Sequence, residues 1–297
     1  MFNSRTIIHD YELYTPKSLK EALEKLGAEG AKPLSGGTDL VNRLKDGREK
    51  PAAVVYLGKI AELKNISDTK DFLEIGAACT MAEIERILEP YSEFRCLAEA
   101  IHTVGGTQIR NTATLAGNLG NASPGADTPP ALIVLGAQIE CSRLDQSGKI
   151  VTRLMPVEEF FTGPGKTVLA RGEIISCIRL PRQKAGSGAA FGKLARVTLD
   201  IAKVNAAVGV SLEGDRITGA RVAFGSVAPT PVRGKKVENL ITGKTVKEIS
   251  KESLATAVSQ DISPINDIRS SREYRLSVVP VLVQDLISAA CKRSKGE

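Results

Sequence analysis

Two polar, glycine-rich segments carry most of the chemistry this 297-residue sequence offers. The first is Lys32-Pro33-Leu34-Ser35-Gly36-Gly37-Thr38-Asp39-Leu40. A strand that ends at a Gly-Gly pair and gives way to a helix aims unpaired N–H groups at one point, which suits a diphosphate. The spacing is neither G-x-G-x-x-G nor a Walker A loop, and taken alone it reads first as an ordinary tight turn. The second segment runs from Val104 to Asp127 and is rich in Gly, Asn and Thr. A polar loop of this length inside a compact domain is usually functional. Its short hydroxyls and backbone amides can wrap a large polar cofactor. Asp127 precedes Thr128-Pro129-Pro130, so its spacing favours a helix N-cap, while a carboxylate accepting hydrogen bonds from ribose hydroxyls is the alternative.

Other chemistries find little material. His9 and His102 are the only histidines, and neither has the context of a triad, a metal site or a histidyl-flavin linkage. The five cysteines (Cys79, Cys96, Cys141, Cys177, Cys291) are scattered without a C-x-x-C pair, so neither a zinc site nor an iron–sulfur cluster is spelled out. They read as buried thiols in a reducing compartment. The net charge of +6 is modest and interspersed, and with five Tyr, seven Phe and no Trp there is little to stack on bases. Nucleic-acid binding is therefore not expected, whereas a basic face that docks an acidic partner subunit is compatible. No apolar run approaches the roughly 20 residues of a membrane span. The first ten residues lack the features of a signal peptide, so a cytoplasmic location is expected.

The elements that must position these segments follow from periodicity. Thr15-Pro16 with Ser18 and Glu21 starts a helix whose apolar face is Leu19, Ala22, Leu23 and Leu26. Short strands at Ala31 to Ser35 and Ala52 to Leu57 flank a second helix, so residues 1–58 read as a β/α/β/α/β unit. In residues 59–182, strands are expected at Phe72 to Ala77, Gln138 to Cys141 and Glu173 to Leu180. Helices are expected at Thr80 to Leu88, Phe94 to Val104 and Thr128 to Leu135, with the Gly105 to Asp127 segment as a loop. Pro181 to Gly192 reads as a boundary loop. A further α+β domain over 183–297 follows, with strands at Val204 to Leu212 and Ile217 to Phe224. Its last helix shows one face made of Tyr274, Val278, Leu282, Leu286 and Ala289.

Ser-Gly-Gly-Thr-Asp-Leu around Gly36, paired with Gln-Ile-Arg-Asn-x-Ala-Thr-x-x-Gly-Asn around Thr112, resembles the FAD-binding subunits of the molybdenum hydroxylases. The likeness continues through Phe161 to Lys166, Gly172 to Ile175, Phe191 to Lys193, Phe224 to Pro231 and Ser271 to Leu276, and so covers essentially the whole chain. Within that family the sequence is most similar to the separate flavin subunit of bacterial xanthine dehydrogenases. The resemblance implies an α+β fold: a two-part FAD-binding domain of the PCMH or vanillyl-alcohol-oxidase-like type over residues 1–182, then a smaller domain of the CO dehydrogenase flavoprotein type over 183–297.

It also implies non-covalent FAD. Lys32, Pro33, Leu34, Ser35, Gly36, Gly37, Thr38, Asp39 and Leu40 would wrap its diphosphate and ribityl part. Ile109, Ala113, Thr114, Gly117, Asn118, Gly120 and Asn121 would line the other side. Asp127 would hold a ribose, Ile174 and Ile175 would pack on the adenine or ring system, and Lys193 would approach the flavin. By the same resemblance, the molybdenum cofactor belongs to a large partner subunit and two 2Fe-2S clusters to a small one, arranged as a dimer of heterotrimers. Electrons would leave FAD for NAD+ or another acceptor. The chain departs from the family pattern at Ala116, where glycine is common, and at Val197, where a second arginine would follow Arg196. It lacks the cysteine-bearing insertion of the 4-hydroxybenzoyl-CoA reductase branch. Two rivals remain at this point: a stand-alone FAD reductase similar to the cell-wall enolpyruvyl reductase, and an assembly subunit that has lost FAD.

Overall fold

The computed structural model describes residues 7 and 9–297, so the start of the 1–58 unit lies outside the described residues. The rest of that unit is a three-stranded parallel sheet in the spatial order Glu12–Tyr14, Ala53–Tyr56, Ala31–Leu34. Parallel strands need crossovers, and the helices Leu19–Leu26 and Leu40–Lys45 provide them. The first helix starts where Ser18 accepts the N–H of Glu21, and it buries Ala22, Leu23 and Leu26 as its periodicity predicts.

The second unit is a five-stranded antiparallel sheet ordered Ile66–Asp68, Phe72–Gly76, Ile174–Pro181, Gln138–Leu144, Ile150–Pro156. The helices Met81–Leu88, Arg95–His102 and Thr128–Val134 pack with it, and both N-terminal sheets share one core that includes Val55, Ile75, Leu97, Leu132 and Ile178. The Gly105 to Asp127 segment departs from the expected loop. It contains the short helices Thr107–Arg110 and Leu115–Asn121. Thr114 caps the second by accepting the N–H of Gly117, and Arg110 donates to the carbonyls of His102 and Gly105. Such caps and tertiary bonds override the poor helix propensity of glycine.

The C-terminal unit is a four-stranded antiparallel sheet, Ser187–Leu194, Val204–Glu213, Arg216–Gly225, Val232–Arg233, with its own core around Val208, Phe224, Val258 and Val283. The expected boundary loop is thus mostly strand. Its small residues have a packing reason, because a Cβ on Gly188 would lie 2.3 Å from the carbonyl oxygen of Ala290 in the final helix. That helix, Arg272–Ser294, buries Arg275, Val279, Val283, Ile287 and Ala290 with Leu286, so the buried face is turned about one residue from the expected one. Tyr274 is 42% exposed. The turn has a cause: the Arg275 guanidinium reaches inward to the carbonyl of Ile265 and to Asp267. By length and composition the helix could cross a membrane. Its inner face is, however, part of the C-terminal core.

Candidate functional site: a glycine-walled cavity

The two glycine-rich segments meet. A Cβ on Gly36 would lie 2.0 Å from the carbonyl oxygen of Thr112 and 2.8 Å from the Cα of Ala113, so only glycine permits this approach. Gly37 has φ +73°, the left-handed region that turns the chain into the following helix. Between the segments lies a cavity of about 500 Å³, within the roughly 300–1,000 Å³ typical of small-molecule sites. Lys32 to Leu40 form one wall. Ile109, Ala113, Thr114, Gly117, Asn118, Gly120 and Asn121 form the other, and Ile174 and Ile175 of the central strand complete the lining.

Several features leave donors and space for a ligand. The N–H groups of Gly36, Gly37 and Thr38 donate to no backbone carbonyl among the described residues. Asn118 accepts the Thr128 hydroxyl at 2.7 Å through its Oδ1, which turns its NH₂ group away from that bond. A Cβ on Gly120 would meet nothing within 4 Å, because this helix face looks into the cavity. Unpaired amides, bare backbone and an apolar end built from Ile174 and Ile175 fit a large, partly planar diphosphate cofactor.

The sequence reading missed other lining residues, among them Arg43, Glu49, Met81, Gly165 and Glu173. Arg43 ties the two walls together by donating to Asn121 and lies 3.9 Å from Glu49. Its only sequence signal is its place one helical turn after Asp39. Gly165 and Glu173 fall within the family-like segments Phe161 to Lys166 and Gly172 to Ile175, and that is their signal in the sequence. Glu173 is buried, which works to raise its pKa. The Arg153 guanidinium at 2.7 and 2.8 Å and the Ala170 N–H outweigh that burial and hold it below its ordinary value. Ala116 sits buried in the helix Leu115–Asn121, a backbone conformation open to alanine, and it lines the cavity too.

Asp127 and Lys193 do not line the cavity. Lys193 Nζ donates to Asp127 Oδ2 at 2.7 Å and to the carbonyl of Thr103 at 2.9 Å. Asn205 Nδ2 donates to Asp127 Oδ1 at 2.8 Å. Asp127 holds the N-cap position of the helix Thr128–Val134 but makes no side-chain cap bond: the carboxylate is drawn to a cation and an amide from the C-terminal sheet. Both of its oxygens are engaged there. The pair instead joins the end of the second glycine-rich segment to the C-terminal unit.

The five cysteines are free, and burial pushes Cys79 and Cys141 up to about 11 and Cys177 up to about 12. Thiols so held stay protonated and inert near neutral pH. Among the described residues, no three metal-ligating side chains gather in one place.

Comparison with known proteins names this arrangement. The model of the FAD-binding domain in molybdopterin dehydrogenase matches residues 9–183. The chain belongs to that family, the FAD-binding subunits of the molybdenum hydroxylases. The model of the CO dehydrogenase flavoprotein C-terminal domain matches residues 189–290, which separates this flavoprotein from reductases with a different C-terminal domain. A xanthine dehydrogenase FAD-binding subunit from Escherichia coli O157:H7 is 31% identical over 90% of this chain and 91% of its own length. The carbon monoxide dehydrogenase medium chain of Hydrogenophaga pseudoflava is 30% identical over 95% of this chain and 98% of its own. A solved structure of carbon monoxide dehydrogenase from the same organism, lacking the Mo-pyranopterin moiety, superposes with a TM-score of 0.89 at 29% identity. It covers 97% of this chain and 99% of the matched one. The fold of this flavoprotein is therefore the two-domain fold of the family.

Proposed function

We propose that this FAD-binding subunit is the electron-output component of a molybdenum hydroxylase complex. A small 2Fe-2S subunit would deliver electrons taken from substrate at a large molybdopterin subunit, and NAD+ or another acceptor would receive them. The observation that supports the reading is the one cavity walled by both glycine-rich segments, in a chain similar over 90–95% of its length to FAD-binding and medium subunits of such enzymes. Bound FAD supplies the exchange between one-electron and two-electron transfer. The chain's own residues bind and orient it. The N–H groups from Gly36 to Thr38 would hold the diphosphate, Asn118 and Thr114 would contact the sugar side, and Ile174 and Ile175 would exclude water from the ring system. Xanthine or a related purine is the proposed substrate of the complex, from the likeness to the xanthine dehydrogenase subunit. Residues 1–182 and 183–297 are its proposed functional division, the cytoplasm its proposed location and a dimer of heterotrimers its proposed assembly.

Reconstitution with FAD should give a flavin band near about 450 nm that survives desalting. In Gly37→Val, whose side chain would crowd the left-handed turn, the band should be lost with the fold retained. Unchanged flavin content in that variant rules out the turn as the diphosphate site. Purification from its native source should bring along a large molybdopterin subunit and a small cysteine-rich one. Isolation as a lone flavoprotein with full turnover would contradict the proposed division of labour.

A further inference from the structure

Glu173 lines a second cavity as well as the first. This cavity, of about 480 Å³, lies among the helix Leu19–Leu26, the strands Gln138–Leu144 and Ile150–Pro156, and the turn before Ile174. Three arginines, Arg143, Arg153 and Arg171, border it. Arg153 is committed to both oxygens of Glu173 and to the carbonyl of Val168. Arg143 and Arg171 belong to no ion pair among the described residues, and Arg143 makes only a long 3.4 Å bond to the carbonyl of Leu144. Against these two uncommitted cations the lining offers one further carboxylate, Glu24. Part of the wall is glycine backbone, Gly27 and Gly172, the latter held at φ +72°, a conformation that favours a residue without a side chain. Guanidinium forks match the paired oxygens of phosphate and carboxylate groups. Backbone without side chains lets such a group come close.

We propose that this cavity binds a small polyanion through Arg143 and Arg171, at a site beside the flavin cavity but outside it. Phosphate and polycarboxylate groups share the required chemistry. The test is calorimetric titration of the FAD-loaded full chain at low salt, with inorganic pyrophosphate and with citrate as separate probes. FAD keeps the diphosphate site closed to both. One probe should bind at a single site, and which one does identifies the ligand class. The R143Q/R171Q variant should bind at least about tenfold more weakly, with flavin content and thermal midpoint unchanged, since both side chains lie at the surface. Absence of binding by either probe overturns the proposal. So does equal affinity in the double variant. Binding to the chain that disappears in its purified complex also overturns it, because the arginines would then serve a subunit interface.

Discussion

The two walls of the glycine-lined cavity are built by opposite means. The wall from Lys32 to Leu40 turns on bare backbone at its middle: Gly36 lies against Thr112 and Ala113, Gly37 is left-handed, and their N–H groups stay unpaired within the backbone. The wall from Ile109 to Asn121 is held by side chains. Thr114 caps its helix, Asn118 takes the Thr128 hydroxyl, and at its far end Asp127 grips Lys193 and Asn205. The first wall leaves room for a ligand at its two glycines. The second gains rigidity from bonds that reach outside itself, including into the C-terminal sheet. Substitutions should therefore act on the two walls in different ways.

The largest effect is expected where the second wall is anchored. Asp127→Ala strands the Lys193 ammonium in a buried site with only the Thr103 carbonyl, and breaking a buried pair from one side costs about 3–5 kcal/mol. Denaturant midpoints measure this. A double variant that also replaces Lys193 with Met should recover most of the loss, because the uncompensated charge is then gone. If the double variant is as unstable as the single one, the pair is not the anchor.

Gly36→Ala should come next, at about 3 kcal/mol, since the added methyl collides with backbone rather than with a side chain that can swing away. Flavin retention should fall with it, as the walls are forced apart. A loss below about 1 kcal/mol would mean that the two segments separate easily. Thr114→Ala, on the other wall, removes a cap and should cost about 1 kcal/mol in denaturant unfolding.

How much of this was readable in the sequence differs between the walls. The Gly-Gly turn after a strand and before a helix is a local signal, and the parallel unit around it formed as its periodicity indicates. That Gly36 must be glycine because of Thr112 is a contact between distant segments, and no local spacing reveals it. In the second wall, Gly117 and Gly120 argue against a helix by propensity, yet a helix forms because Thr114 caps it and neighbours hold it. Asp127 misled most. Its position before Thr-Pro-Pro is that of an N-cap, but its partner lies 66 residues away in another sheet. The final helix was misjudged for a similar reason. Arg275 is a charged residue that turns inward to Ile265 and Asp267, so the buried stripe begins on it rather than on Tyr274.

The smallest effect tests the cofactor assignment most sharply. Gly120 lies inside the helix Leu115–Asn121, where a Cβ would meet no atom within 4 Å. Without ligand, Gly120→Ala should stabilise the chain by about 0.5–1 kcal/mol, because alanine favours the helix and fills only open space. With FAD, the same methyl projects into the cavity, so affinity should fall. The variant would then melt higher than the parent as apoprotein and gain less on adding FAD. This opposite sign distinguishes a position kept as glycine for a ligand from one kept for the fold. If FAD raises the melting temperature of the variant as much as that of the parent, Gly120 does not face the cofactor, and the second wall must be redrawn around Asn118.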